Sequence, residues 1–105
     1  DMEAVTITEV LDDLRAADEQ TRRFERRYWL SSRDFYELYT KGVLDNGENV
    51  EDFALWAAFY EVKRDREAAL HRLSQARMQE LLERTDKDAS IQIDPKEPKL
   101  DPVSA

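Results

Sequence analysis

Few side chains in this 105-residue sequence are placed to do chemistry. His71 is the only histidine, and Glu67 stands one helical turn before it, the spacing of two ligands on one helix face. A metal site needs three or four ligands, and no second cluster is in reach, so the pair reads as surface. Asp12, Asp13, Asp18 and Glu19 could form an acid/base set. They fall on the polar face of a helix, however, and Asp18 and Glu19 precede Arg22 and Arg23 by four residues, the spacing of surface ion pairs. Asp45-Asn46-Gly47-Glu48-Asn49 is acidic like a calcium loop, but glycine stands third and Val50 sits where an EF-hand needs glycine. It reads as a connection between helices.

A band of Arg22, Arg23, Arg26 and Arg27, joined by Arg33, lies beside Tyr28 and Trp29. Cations with aromatic faces are a nucleic-acid-binding combination. Here Glu25 interrupts the band and the whole chain is acidic, so nucleic acid is not the expected partner and the band reads as solvated or partner-facing. The absence of cysteine removes disulfide and thiolate chemistry. The expectation is a protein that is not an enzyme and carries no metal or cofactor.

Twenty-four acidic residues against 16 basic ones leave a net charge of −8, which opposes non-specific attraction to nucleic acid or anionic membrane and suits a basic partner. Charged residues make up 38% of the chain and hydrophobic ones 41%, a balance that fits long helices with wide solvated faces. No apolar run approaches the ~20 residues that span a bilayer, and no signal peptide is visible, so a cytoplasmic location is expected.

The elements that must position these residues are helical. Thr6 followed by Glu9 has capping-box spacing, with Val5 and Val10 as a staple. From there Ile7, Val10, Leu14, Ala17, Thr21, Phe24 and Tyr28 step by three and four, an a/d seam along a helix over about 7–29. Ser31 and Asp34 repeat the start signal for a short helix over about 32–41, with Phe35, Leu38 and Tyr39 on one face, ended by Gly42. After a turn at Asn46-Gly47, Asn49 caps a third helix over about 50–84, which has no Gly or Pro. Its first half is apolar nearly all round, from Phe53 to Val62, and a helix of that kind is covered on every side. Residues 1–85 thus read as one helical domain and 86–105, with all three prolines, as an extended tail. The tail is either disordered or a partner-binding arm, its Ile91 and Ile93 alternating as in a strand that adds to a sheet edge.

The fold expected is all-α, a long antiparallel helical hairpin with a short intervening helix. Pairing Tyr28 with Phe59, Phe24 with Val62, Ala17 with Ala69, Leu14 with Leu73 and Ile7 near Leu81 closes the hairpin. All ten aromatic residues fall between Phe24 and Tyr60 and gather where the three helices join. They read mainly as core, with an interface or a small-molecule pocket as the other readings. Two helices and a cap leave surplus apolar surface, which a homodimer completing a bundle would cover. The candidate partner or oligomer contacts are Trp29, Tyr36, Tyr39, Trp56, Tyr60, Leu70, Leu81, Ile91 and Ile93.

Ser31-Ser32-Arg33-Asp34-Phe35-Tyr36-Glu37-Leu38-Tyr39, then Gly42-Val43-Leu44-Asp45, then Phe53-Ala54-Leu55-Trp56-Ala57 and Tyr60-Glu61 resemble a group of small helical proteins from bacteria and archaea that occur in toxin–antitoxin-like gene pairs. The resemblance spans Tyr28 to Val62 and implies an antitoxin-type protein whose tail wraps a toxin. The usual DNA-binding modules of antitoxins, helix-turn-helix or ribbon, are not seen. The functional expectation is a non-enzymatic interaction protein that neutralises a basic partner, such as a nuclease, through its acidic surface and tail. The alternative is a structural homo-oligomeric bundle or adaptor.

Overall fold

The computed structural model describes residues 5–45, 47–84 and 90–97. It is all-α: α1 (Ile7–Tyr28), α2 (Ser32–Thr40) and α3 (Val50–Glu83), with no strand among the described residues. The start signals operate as expected at the first two helices. Thr6 Oγ1 accepts from the Glu9 amide at 3.1 Å while the Glu9 carboxylate accepts from the Thr6 amide at 3.2 Å, which satisfies two donors that a helix N-terminus leaves orphaned. Ser31 Oγ accepts from the Asp34 amide at 3.1 Å. Asn49 precedes α3 without a capping bond from its side chain, because its backbone (φ −104°, ψ 15°) is not the extended conformation that aims a cap. Glu51 and Asp52 still place negative charge in the first turn. Gly42, at φ 70°, supplies the left-handed residue that ends α2.

α1 and α3 form the long hairpin, and α2 folds back against both at its closed end. The α1 seam is the expected one, with Val10, Ala17, Thr21 and Phe24 buried and Ile7, Leu14 and Tyr28 half-buried. Thr21, the polar member, donates its hydroxyl to the Asp18 carbonyl at 3.0 Å, so its burial leaves no donor unpaired.

The partner register differs from expectation by about one heptad. Tyr28 meets Asp52, Phe53 and Trp56 rather than Phe59, Phe24 stacks on Trp56 rather than meeting Val62, and Asp18 and Asp13 pair with Lys63 and Arg66. An a/d seam is nearly invariant to a slip of seven residues; here the large aromatics and the two cross-helix ion pairs decide between registers. The slip leaves the apolar half of α3 uncovered on one side. Ala54, Leu55, Ala58 and Val62 are exposed, Leu55 by 45% and Val62 by 42%, where coverage all round was expected. At the open end the register sets buried Leu73 opposite the first turn of α1, so the last turns of α3 run past it.

Residues 90–97 form neither helix nor strand and touch the hairpin there. Thr8 donates its hydroxyl to the Glu97 carboxylate at 2.9 Å and its amide at 3.4 Å, a favourable place for a negative charge at a helix N-terminus. The rest of the expected tail lies outside the described residues.

Candidate functional site

The junction of the three helices is built on Trp56, whose side chain is 0% exposed. Phe35 stacks on it at 3.8 Å between ring centres and 3° between planes, and Phe24 and Tyr28 each stack at 5.7 Å. One helix contributes each partner class: α1 gives Phe24 and Tyr28, α2 gives Phe35, α3 gives Trp56 itself. A buried indole needs an acceptor, and Trp56 Nε1 donates to Ser32 Oγ at 2.8 Å. Ser32 passes the bond on, its hydroxyl donating to Glu25 Oε2 at 2.7 Å and its amide to the same oxygen at 2.8 Å. Arg22 closes on the other oxygen at 2.9 Å and reaches Asp18 at 3.4 Å, where Lys63 of α3 donates at 2.9 Å. The relay Trp56–Ser32–Glu25–Arg22–Asp18–Lys63 therefore ties all three helices together through satisfied polar groups.

Burial alone would push the Glu25 carboxyl up, but the two Ser32 bonds and Arg22 outweigh it and hold the group below its ordinary value of 4.5. The Lys63 hydrogen bond, opposed by burial and helped by the charges of Lys63 and Arg22, lowers Asp18 below 3.8. Folded values below the unfolded ones contribute stability that is present above the ordinary carboxylate range and is lost as pH falls through the folded values. The urea midpoint is expected to hold down to about pH 5 and to fall below about pH 4. Glu25→Gln should be less stable at neutral pH and show a smaller acid loss. An acid loss as large in Glu25→Gln as in the wild type would contradict this role for Glu25.

The residues expected at an interface divide. Trp56 is corrected: it is the centre of the core rather than surplus to it, because the true register brings it between Phe24 and Tyr28. Trp29 is the opposite case, 91% exposed and held at φ 58°, ψ 43° where α1 ends. Tyr36 and Tyr60 are half-buried and lie ring against ring at 5.0 Å, with Arg64 over both at 5.9 and 5.8 Å. The Tyr36 hydroxyl donates to Glu61 at 2.7 Å, which raises its pKa above the ordinary value. Tyr39 rests on Phe35 at 5.6 Å and lines a cavity of about 210 Å³ with Gly42, Leu44, Asp45, Val50 and Phe53. Leu70 and Leu81 are half-buried, and Ile91 and Ile93 are exposed, Ile93 by 70%.

The residues weighed for chemistry stay apart. His71 is exposed, and no group of three or more histidine, aspartate or glutamate side chains that could hold a metal ion exists among the described residues. Asp13 and Asp18 are engaged with Arg66 and Lys63 and so clamp α1 to α3. The sequence reading missed Ser32 and Glu25 as a core polar pair and Lys63 and Arg66 as seam residues. The available signal was the seven-residue spacing of Trp56 and Lys63, together with acidic Asp13 and Asp18 along the α1 seam. Among the described residues no helix is long and apolar enough to cross a membrane. No protein-family model, curated protein or solved structure matches the chain.

Proposed function

We propose that the chain is a non-enzymatic protein-interaction module of antitoxin type, which neutralises a basic partner through its acidic surface and C-terminal arm. The observation that carries this reading is the arm itself. Residues 90–97 leave the helical body, present Ile91 and Ile93 to solvent, and are hydrogen-bonded to the hairpin through Glu97 and Thr8. An exposed apolar pair on a non-helical arm is suited to adding to a sheet edge or lying in a groove, and the net charge of −8 would speed encounter with a cationic protein. A cytoplasmic location belongs to the same proposal.

Ending the chain at Asp88 tests it. The truncation removes the Glu97 contact, a surface interaction worth at most about 1 kcal/mol, so the helices should keep their circular-dichroism signal and cooperative unfolding. Affinity for the basic partner should fall at least about tenfold. Full-strength binding by the truncated chain would eliminate the arm as the binding element.

The second reading, a structural homo-oligomer, is favoured by the exposed side chains of α3. Leu55 and Val62, seven residues apart and so on one face of α3, are exposed in the single chain, and a second hairpin laid along them would complete a bundle.

A further inference from the structure

The first turn of α1 is capped from two directions. Within the helix, Thr6 and Glu9 serve each other's amides, which leaves the Ile7 and Thr8 amides without an intrahelical acceptor. The acceptor for Thr8 comes from the other end of the chain. Glu97 takes the Thr8 hydroxyl at 2.9 Å and its amide at 3.4 Å, across 89 residues of sequence. Among the described residues no other hydrogen bond or ion pair joins residues 90–97 to the hairpin. The arm's polar hold on the body is one carboxylate at one point.

α3 overshoots the first turn of α1 by the stretch from Leu73 to Arg84, about 16 Å at 1.5 Å per residue, and Glu97 brings the chain back over that distance. While it is held there, Ile91 is exposed by 43% and Ile93 by 70%, so part of the apolar surface that a partner would take is covered. A strand that adds to a sheet edge, or a segment that enters a groove, is flanked by the partner and has to leave its own body. The contact is open to solvent, where a carboxylate at a helix N-terminus favours the bound form by about two- to fivefold. A hold of that size keeps the arm mostly closed and still costs a partner little to open.

We propose that Glu97 and Thr8 form an autoinhibitory clasp. Closed, it keeps the arm at the open end of the hairpin; opened, it releases residues 90–97 to the basic partner and leaves the first turn of α1 to water. This role rests on the reading of residues 90–97 as the binding element. The two events are reciprocal: closing the clasp weakens partner binding by the same factor by which the bound partner favours opening.

Thr8→Val in the full chain, and again in a chain ended at Asp88, tests the clasp. Valine keeps the shape of threonine and the net charge, lies on the body rather than the arm, and removes the shorter of the two bonds. By NMR, the heteronuclear NOEs of residues 90–97 should fall in Thr8→Val and in Glu97→Gln, and the Thr8 amide resonance should move in Glu97→Gln. Circular dichroism should stay that of the wild type. Affinity for the product of the neighbouring gene should rise about two- to fivefold in Thr8→Val. That gain should vanish once the chain ends at Asp88, where there is no Glu97 to release. Arm NOEs and a Thr8 amide resonance unchanged by Glu97→Gln overturn the clasp as a contact. An affinity unchanged or lowered in Thr8→Val, or a gain that persists without the arm, overturns it as an inhibitor. Failure of the arm reading looks different: the otherwise wild-type chain ended at Asp88 binds at full strength, and the clasp loses its function while its NMR signature stands.

Discussion

Trp56→Ala is expected to abolish or nearly abolish cooperative folding, while the same change at Trp29 leaves the fold standing. Truncating a fully buried tryptophan costs roughly 3–5 kcal/mol in lost transfer free energy and cavity, against a total stability of about 5–15 kcal/mol for a small domain. Trp56 is unusually central because α1, α2 and α3 all stack on it or contribute it. No neighbouring side chain can collapse into its place without separating two helices. The thermal midpoint should fall by roughly 15–30 °C, or the transition should vanish, when followed by circular dichroism. A midpoint within a few degrees of the wild type would mean that the hairpin is held elsewhere.

Ser32→Ala should destabilise more than its size suggests, by about 2 kcal/mol. Ser32 is 3% exposed, and its hydroxyl serves both as acceptor for Trp56 Nε1 and as donor to Glu25. Removing it leaves a buried indole N–H without a partner and takes one of two Ser32 bonds from a carboxylate that is largely out of water. Trp56→Phe removes the same indole donor and also costs stability, but it leaves the hydroxyl free to serve Glu25. The two changes act on one bond, so the double variant should be less destabilised than the sum of the singles by about 1 kcal/mol. Urea unfolding of the four proteins gives the coupling directly, and strict additivity would refute the relay.

The helices were legible in the sequence because their signals are local. Thr6 with Glu9, Ser31 with Asp34, and Gly42 each act within four residues, and each appears in the structure as a hydrogen bond or a dihedral angle. The α1 seam was legible for a related reason: its residues alternate strictly, and helical geometry alone assigns the face. The register was not, since an a/d pattern repeats every seven residues and cannot name its own partner. Lys63 and Arg66 hid it further. As charges they read as surface, yet their stems cover the seam and their heads are paired by Asp18 and Asp13 from α1. With the register displaced, Trp56 was placed among the candidate contacts although it is core. Trp29 is exposed by 91%, and its left-handed backbone has no sequence signature for a bulky residue. The arm of residues 90–97 was visible as a tail from its prolines, whereas its return to Thr8 depends on a contact 89 residues away.

The proposed role of this chain is to hold a basic protein. The most direct measurement is co-expression of the full chain with the product of the gene next to its own, followed by affinity purification and a salt titration of the complex. A stoichiometric complex with a basic protein is expected, weakening as salt rises and suppressing any nuclease or other toxic activity of that protein. Failure of the two to co-purify at low salt, or a complex that leaves the partner fully active, would contradict it.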